Sequence, residues 1–428
     1  MRGQPTKRVA ILGGLRTPFC RAYTNYHNVS NQEMMTAVLK EIVTKYRLNG
    51  QKLDDVSLGA VIKHSKDFNL ARESILSSGL SPKTPAFDIQ RACGTSLSAT
   101  ILIASKISSG IIESGIAGGV DSISDIPIVY PDTFRSILLS SLTGKTLKDR
   151  ILPWLKIRPK HFKPSLPSVD EPRTHLSMGE SMEITAKKLG ISRNDQDQLS
   201  MTSHINASIA YDEGFYEDLV INFKGIHKDN NIRPDTSIEK LAKLKPAFDK
   251  SSKGSLTAGN STPLTDGASA ILLSSEEWAK ERSLPVQTYL THAKVSAVDF
   301  INDEGLLMAP VYAISDMLTE ANLELQDFDF YEIHEAFSAQ TLATLKALES
   351  ESFCREKLGR EKALGSINKL KLNTKGGSVA LGHPFAATGT RIIATLSKLL
   401  LNHTRKGRGL ISVCTAGGMG ITAILESS

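Results

Sequence analysis

The sequence is poor in cysteine, and it contains no long uninterrupted apolar run. Only four of its 428 residues are cysteines, and none forms a C-x-x-C pair or a cluster with metal-ligand spacing. A disulfide framework and a metal centre are therefore not expected. No stretch reaches the roughly 18–20 apolar residues that a membrane-spanning helix needs, and residues 1–7 show no secretory signal. We expect reduced thiols in a cytoplasmic protein, or in the mitochondrial matrix if a transit peptide has been removed.

Charge of one sign is concentrated in a single segment. The net charge is +6, but residues 135–163 contain eight basic side chains against one aspartate, a local balance of +7 that leaves about −1 for the rest of the chain. No basic surface extends over the whole sequence, so nucleic-acid binding is not expected.

Apolar runs alternate with helical patterns along most of the chain, and this alternation predicts an α/β fold. Residues 9–12 lead into Gly13-Gly14 as a buried strand would, without the G-x-G-x-x-G pattern of a dinucleotide site. The other predicted strands lie at 60–62, 115–119, 268–273, 330–333 and 409–413, and the clearest helices at about 32–45 and 97–107.

The chain divides into segments of different pattern. Residues 1–123 together with 252–280 predict one α/β half, and residues 281–428 predict a second. Residues 124–251 are rich in proline and poor in buried-strand patterns, so they are interpreted as an inserted loop domain. An internal duplication is favoured because a similar apolar run closes each half, at 267–273 and 419–425.

A cysteine stands before a glycine in the run Gln90–Ser96, where a strand is expected to give way to a helix. The positive end of a helix dipole favours the thiolate, so Cys93 is a candidate nucleophile. Gly94 is expected to allow a tight turn. The alternative is a small buried apolar residue, the usual role of a free cysteine, and this motif alone does not decide between the two.

A histidine follows the glycine-rich run Asn373–Gly382 and directly precedes a proline that can open a helix. An imidazole at a helix N-terminus is disfavoured as the cation, so His383 is a candidate neutral base toward a thiol. A structural histidine is the alternative. The flanking glycines permit close approach of the backbone and favour a functional role.

Two further motifs stand at predicted strand ends, where sites in α/β sheets assemble. Cys414 follows the strand at 409–413 and precedes a glycine-rich turn whose N–H groups could face an oxyanion. This second thiol could act as acid or base, or be a buried residue only. His334 could donate to a carbonyl, while Glu335 could orient a neighbour or serve as a charge at a helix start.

These four motifs resemble the thiolase family in order and spacing over almost the whole chain, together with the runs Leu256–Asn260 and Thr265–Ala268. The resemblance implies a layered α-β-α-β-α fold of two similar halves. It also implies an enzyme that makes or breaks a carbon–carbon bond on an acyl-CoA thioester, with coenzyme A as a substrate and no cofactor or metal. At least a homodimer is expected.

The resemblance also implies a role for each candidate site residue. The matching positions are Cys93 as the acylated nucleophile, His383 as its base, Cys414 as the second acid/base, the backbone N–H groups of Cys93 and Ala416 as an oxyanion pair, His334 with His383 as donors to the other thioester oxygen, and Ser261 and Thr262 as contacts of the pantetheine arm.

Departures from the common family pattern indicate which of the family's activities to expect. The His-Glu-Ala-Phe form at 334–337, where many thiolases begin with asparagine, is similar to the β subunit of the trifunctional-type β-oxidation complex. It implies cleavage of 3-ketoacyl-CoA by CoA into acetyl-CoA and a shortened acyl-CoA, with a hydratase/dehydrogenase α subunit as partner. Many relatives have a cysteine after Gly-His-Pro, where this chain has Ala386 and Ala387. A biosynthetic acetoacetyl-CoA thiolase and an acyl-CoA-binding scaffold subunit are the alternatives.

A last departure concerns position 416, where alanine replaces a common glycine. Ala416 keeps the backbone N–H, although the angles of its turn could differ.

The basic segment 135–163 is also amphipathic, with Leu147, Ile151 and Leu155 at four-residue spacing. It predicts either a solvated helix of the insertion or a helix that docks on a membrane surface or a partner, since anionic lipid attracts such a face. A contribution to binding the coenzyme A phosphates is the third interpretation.

Overall fold

The structure is a computed structural model that describes residues 6–165 and 170–428. Its strands are β1 Val9–Arg16, β2 Cys20–Arg21, β3 Asp55–Leu58, β4 Phe87–Asp88, β5 Ser114–Asp121, β6 Thr265–Ser275, β7 Thr288–Ala297, β8 Phe330–Ile333, β9 Arg408–Thr415 and β10 Met419–Ser427. Its α-helices are α1 Asn31–Lys45, α2 Leu70–Leu76, α3 Thr95–Ser108, α4 Asp132–Thr143, α5 Leu147–Ile151, α6 Met178–Lys188, α7 Arg193–Asp212, α8 Ile238–Ala242, α9 Glu276–Glu281, α10 Ala309–Ala321, α11 Ser338–Glu349, α12 Glu351–Leu358, α13 Ser378–Leu381 and α14 Thr388–Leu401. Short 3-10 helices occupy Ser65–Asp67, Leu152–Lys156, Pro159–Phe162, Phe300–Asn302, Lys369–Lys371 and Phe385–Ala387.

One mixed sheet runs through the molecule in the order β4-β3-β5-β6-β1-β7-β10-β9-β8, with β2 paired to β6. Its two halves have the same plan. The strand β3 is parallel to β5 as β8 is to β9, while β6 is antiparallel to β5 and β1 as β10 is to β9 and β7. The halves join where Val9, Ala10 and Ile11 pair with β7. This matching order confirms the predicted pair of similar halves.

Successive side chains of a strand point to opposite faces of the sheet, so they belong to different layers of the fold. In β6, the side chains of Ala270 and Leu272 pack in an apolar cluster with residues of α1. Those of Ile271 and Leu273 point to the other face of the sheet and pack in a second cluster with residues of α3 and α14. Strands β9 and β10 also contribute to that central cluster, and α10 and α11 cover the outer side of the second half. Two helices therefore lie between the half-sheets, which gives the predicted α-β-α-β-α arrangement.

The two central helices approach each other closely at their first turns. A Cβ added at Gly389 of α14 would lie 2.5 Å from the backbone nitrogen of Leu97 in α3. The Thr390 N–H also donates to the Ser96 hydroxyl over 3.0 Å. Small residues thus bring together the starts of two helices from different halves, and the segments just before those starts carry Cys93 and His383.

The strand predicted at 60–62 is wrong. β3 ends at Leu58, and the N–H groups of Val61 and Ile62 donate instead to the carboxylate of Asp121, over 3.0 and 2.8 Å. A side chain from the end of β5 therefore satisfies the donors that a strand would have used in a ladder.

Helices α4 to α8 occupy the predicted insertion, and its described residues contain no strand of the main sheet. Residues 166–169 of this segment lie outside the described residues, as do residues 1–5 at the start of the chain. The boundaries predicted for the three segments stay predictions. Within the described ranges, no helix is both long and apolar enough to cross a bilayer.

Candidate active site

Cys93 lies between β4 and α3, in a loop pressed against the second half of the molecule. Its neighbour Gly94 has an ordinary φ of −88°, while the left-handed backbone falls on Ala92, with φ +41°. A Cβ at Gly94 would lie 2.5 Å from Ile421 Cδ1 and 2.7 Å from Thr415 Cγ2. Gly94 is thus required for close packing and not for the tight turn that the sequence suggested.

The Cys93 thiol is in contact with His383. The distance from His383 Nε2 to Cys93 Sγ is 3.1 Å, and His383 Nδ1 lies 2.6 Å from the Thr388 hydroxyl oxygen. With Nδ1–H donating to Thr388, Nε2 presents its lone pair to the thiol. Gly382, with φ +107°, allows the turn that places the ring there.

Burial keeps both members of this pair neutral. Burial, together with the nearby charge of Arg391, lowers the pKa of His383 to about 3. Burial likewise raises the pKa of Cys93 to about 12, although backbone hydrogen bonds from Ala416 and Cys93 itself oppose the rise. The expectation of a neutral histidine is met, through burial and Arg391. The expectation of a helix-stabilised thiolate is wrong, because burial outweighs the favourable donors.

Two backbone donors point at the nucleophile. The N–H groups of Ala416 and of Cys93 itself both act on the sulfur to lower its pKa. In the turn after β9, positive φ angles fall on Gly417 (+79°) and Gly418 (+71°), so Ala416 occupies a position that any residue tolerates. The replacement of glycine at 416 therefore leaves this donor in place.

His334 follows β8 and lies beside His383, with 4.2 Å between the ring centroids. Its Nδ1 is 2.8 Å from the Ser378 hydroxyl oxygen, whereas its buried Nε2 has no hydrogen-bond partner among the described residues. Burial lowers its pKa well below the ordinary value, and electrostatic interactions with His383 and Arg391 act in the same direction. A neutral ring with one nitrogen free of hydrogen bonds among the described residues thus lies beside His383.

One ligand atom each from Cys93, His334 and His383 lies within 4.8 Å of the other two. This spacing could hold a metal ion, although the positive charge of Arg391 acts against a cation at the two rings. The expectation that the protein uses no metal stays a prediction.

Cys414 lies in β9 and is almost fully buried. Burial raises its pKa well above the ordinary value, and the proximity of Cys93 raises it further. The second thiol is therefore held protonated beside the first, as a proton donor must be.

Ser261 and Thr262 lie against the loop that follows His334. The N–H and hydroxyl groups of Thr262 both donate to the carbonyl of Ala336, each over 3.1 Å. Ser261 pairs with Phe337, and its buried hydroxyl oxygen has no partner among the described residues. Their contact with coenzyme A stays a prediction.

A cavity of about 440 Å³ opens above the thiol, within the range of about 300–1,000 Å³ that small-molecule sites occupy. Cys93 and Ala416 line it. Its apolar lining residues are Val61, Ile62, Ala92, Pro127, Pro172, Met178 and Phe385, and its charged ones are Lys63, Asp170 and Glu171. A bound molecule would reach the sulfur and one backbone donor from the same space.

Sequence reasoning missed the residues that support this site. The side-chain amide of Asn373 pairs with both the N–H and the carbonyl of Ile333, each at 2.9 Å, and donates to Glu335 over 2.6 Å. Arg391 is 1% exposed and contacts Ser378. An arginine in a helix of small and apolar residues was the available signal for Arg391, and Asn373 already stood in a motif of interest.

The fold and the two-thiol, two-histidine geometry define a thiolase-type enzyme, and the comparisons agree. A family model for the thiolase N-terminal domain matches residues 9–277, and one for the thiolase C-terminal domain matches residues 285–427. The chain belongs to the thiolase family, and it is an acyltransferase.

Individual relatives resemble the chain over nearly its full length. A 3-ketoacyl-CoA thiolase of Yersinia pestis (strain Pestoides F) is 40% identical over 98% of this chain and 97% of its own, and the same values hold for one from Yersinia pseudotuberculosis serotype O:3 (strain YPIII). The crystal structure of the Bacillus anthracis acetyl-CoA acetyltransferase superposes with a TM-score of 0.83, at 29% identity and with full coverage of both chains.

Proposed function

We propose that the protein is a 3-ketoacyl-CoA thiolase that works in the degradative direction through an acyl-enzyme on Cys93. One observation carries the proposal: a thiol 3.1 Å from an imidazole nitrogen, with backbone donors aimed at the sulfur and a cavity above it. The name of the Yersinia relatives supports the substrate class.

Acylation begins from the neutral pair. His383 Nε2 takes the proton of Cys93 as the sulfur attacks the 3-keto carbon, so charge separates only during attack. The oxygen of the tetrahedral intermediate becomes negative beside the backbone N–H groups of Cys93 and Ala416. Donors that point at the sulfur before the reaction need little rearrangement to stabilise that oxygen.

Collapse of the intermediate breaks the bond between carbons 2 and 3 and leaves the acyl group on sulfur. The electron pair of that bond passes into the departing acetyl-CoA, whose thioester oxygen becomes an enolate. His334 Nε2 and the protonated His383 donate to this oxygen. Cys414 gives its proton to carbon 2, which completes acetyl-CoA.

Free coenzyme A then closes the cycle. Its thiol loses a proton to Cys414 and attacks the acyl thioester, again beside the two backbone donors. The shortened acyl-CoA departs, and Cys93 regains its proton from His383. Each proton removed in the first half is returned in the second, so the residues end as they began.

Trapping the intermediate tests the proposal. The protein is mixed with a 3-ketoacyl-CoA labelled in its acyl chain, quenched in acid without added coenzyme A, digested and mapped by mass spectrometry. We expect label on the peptide that contains Cys93 and none in Cys93→Ala. Cys354→Ala is the matched control, because this buried thiol lies remote in α12. Label on Cys414, or no label in a folded wild type, would contradict the assignment and would favour an acyl-CoA-binding scaffold.

A biosynthetic acetyl-CoA acetyltransferase is the second candidate, favoured by the Bacillus neighbour. The apolar lining at Val61, Ile62 and Met178 favours a longer acyl chain. Thiolysis rates with acetoacetyl-CoA and with long-chain 3-ketoacyl-CoA separate the two functions. A preference for acetoacetyl-CoA, with condensation of acetyl-CoA, would replace the degradative assignment.

The proposal extends to assembly and compartment. We place the enzyme in a reducing, cytoplasmic environment, which its four free cysteines support. We also propose at least a homodimer, paired with a hydratase/dehydrogenase subunit that forms the 3-ketoacyl-CoA consumed here. Light scattering of the isolated chain tests the dimer, and a monomer at micromolar concentration would refute it.

The segment 135–163 is proposed to dock on an anionic lipid surface. Leu142, Leu147 and Leu155 are 75, 74 and 70% exposed, and the segment carries a net charge of +7. Flotation with phosphatidylserine vesicles tests it, with phosphatidylcholine vesicles as control. Replacing Lys145, Lys148 and Lys156 by glutamate should abolish flotation, and no binding by the wild type at low salt would refute the proposal.

A further inference from the structure

Behind His334 lies a buried chain of hydrogen bonds that the proposed reaction does not use. Arg391 Nη2 donates to the Ser378 hydroxyl oxygen over 2.6 Å, and that oxygen is 2.8 Å from His334 Nδ1. Arg391 and His334 are each 1% exposed and Ser378 is fully buried. Water therefore does not compete for hydrogen bonds with these three groups. Which group donates and which accepts is decided by the three groups themselves.

The direction of each hydrogen bond follows from the chemistry of the groups. A guanidinium has donors only, so the Ser378 oxygen accepts from Arg391. The Ser378 hydroxyl has two partners among the described residues, Arg391 and His334. Its single proton has one acceptor available, which is Nδ1 of His334. A neutral imidazole that accepts at Nδ1 carries its proton on Nε2.

The opposite tautomer of His334, with its proton on Nδ1, is less stable. If His334 Nδ1 donated to Ser378, the hydroxyl proton would point at no acceptor in a fully buried site, and a buried donor without a partner is destabilising. In that arrangement Nε2 would also carry a lone pair, which would repel a substrate oxygen.

We propose that Ser378 and Arg391 are positioning residues that hold His334 with its proton on Nε2, so that this ring donates to the thioester oxygen of the substrate. The part of the inference that concerns substrate rests on the proposed function, and the part that concerns the tautomer does not. The neighbouring rings of His383 and His334 are then held in opposite tautomers. His383 offers the lone pair of Nε2 to Cys93, and His334 offers the proton of Nε2 to the substrate.

The arrangement explains why a charged arginine lies in the centre of the molecule. Arg391 Nη1 is 3.9 Å from a carboxylate oxygen of Glu332, which is equally buried. The arginine is a donor that never becomes an acceptor, so the Ser378 hydroxyl cannot reverse. A water molecule or a second hydroxyl in place of the Arg391 guanidinium could rotate, and His334 could then adopt either tautomer.

Nitrogen-15 NMR of histidine-labelled protein tests the tautomer directly, because protonated and unprotonated ring nitrogens give well-separated signals. His334→Asn identifies the His334 signals by their loss. We expect Nε2 protonated and Nδ1 unprotonated in the wild type. In Ser378→Ala, the Nδ1 signal should change to that of a tautomer mixture, and kcat should fall roughly 10- to 100-fold, the effect of weakening one oxyanion donor. KM should change little.

Matched variants separate positioning from packing. Ser378→Thr keeps the hydroxyl and should retain the wild-type nitrogen pattern and most of kcat. Ser397→Ala, which removes a different buried hydroxyl, in α14, that contacts Thr288, should change neither. A wild type with Nδ1 protonated, or a Ser378→Ala enzyme with unchanged nitrogen signals and kcat, would overturn the inference. Failure of the wild type to cleave any 3-ketoacyl-CoA would refute the proposed function instead, since the nitrogen signals are read without substrate.

Discussion

Adding a single methyl group at Gly94 should disable the enzyme while leaving it folded. The backbone there has φ −88° and ψ 7°, which alanine adopts without strain, so Gly94→Ala tests packing alone. The new Cβ would lie 2.5 Å from Ile421 Cδ1 and 2.7 Å from Thr415 Cγ2. Normal carbon contacts are about 3.5–4.0 Å, so the loop that carries Cys93 must retreat by about 1 Å.

The size of the effect follows from that displacement. Overpacking a core by one methyl group typically destabilises by about 1–3 kcal/mol, which a large domain survives. A misplacement of about 1 Å between reacting groups lowers the rate by roughly 100-fold. His383 Nε2 and Cys93 Sγ start 3.1 Å apart, so the same shift would take them out of hydrogen-bond range. We expect kcat/KM to fall about 100-fold with a melting temperature only a few degrees lower.

The contacting side chains supply the control. Ile421→Val removes the Cδ1 atom and Thr415→Ser removes the Cγ2 atom, so adding both to Gly94→Ala should recover activity to within about tenfold of the Ile421→Val/Thr415→Ser protein. Steady-state thiolysis and thermal unfolding of all the variants give the comparison. A fully active Gly94→Ala enzyme, or added substitutions that restore stability without restoring activity, would refute this explanation.

Three other outcomes follow from the site. Cys414→Ser should still form the acyl-enzyme but turn over at least roughly 100-fold more slowly, because a hydroxyl is a much weaker acid than a thiol; normal steady-state turnover would contradict its role. In the folded protein, the pKa of His383 is lowered to about 3, and the pKa of His334 is also lowered. In the unfolded chain, both histidines therefore bind protons at a pH where the folded protein does not. The free energy of unfolding should therefore decrease as the pH falls below about 6.5, by up to about 1.4 kcal/mol per pH unit for each ring. Denaturant titrations at pH 7 and 5 should show a smaller decrease in His383→Asn, and an equal decrease would refute this linkage. Asn373→Ala leaves the N–H and carbonyl of Ile333 without their amide partner, so urea unfolding should show a loss of about 1–3 kcal/mol, and no loss would show that water replaces the amide.

The sequence was sufficient for the elements with strong local patterns. The strand at Val9, the helix after Cys93 and the strand that contains Cys414 each have an apolar run of the right period beside a glycine. These runs predict where the chain changes from strand to helix, and reactive residues stand at those changes. Two halves with the same order of elements were also predictable, because each half ends in a similar run.

Features that depend on distant residues were not predictable in this way. Residues 60–62 look like a strand, but a carboxylate at Asp121 takes up the backbone donors of Val61 and Ile62. The Cys93 thiol was expected to ionise readily, and only the folded structure shows how strongly burial opposes this. Arg391 reaches the histidines through tertiary contacts, which no local spacing in the sequence reveals.

The division of the site between the two halves of the sheet has a consequence for the order in which the chain acquires reactivity. Cys93 belongs to the first half, whereas His383, Cys414 and Ala416 belong to the second, and Asp121 of the first half accepts the N–H of Ala386 in the loop just after His383. A nascent chain that has completed only its first half presents a thiol with no base beside it and without the cavity wall that Phe385 and Ala416 supply. Closure of the halves is therefore the event that creates the nucleophile, and a half-made or unclosed chain cannot consume acyl-CoA.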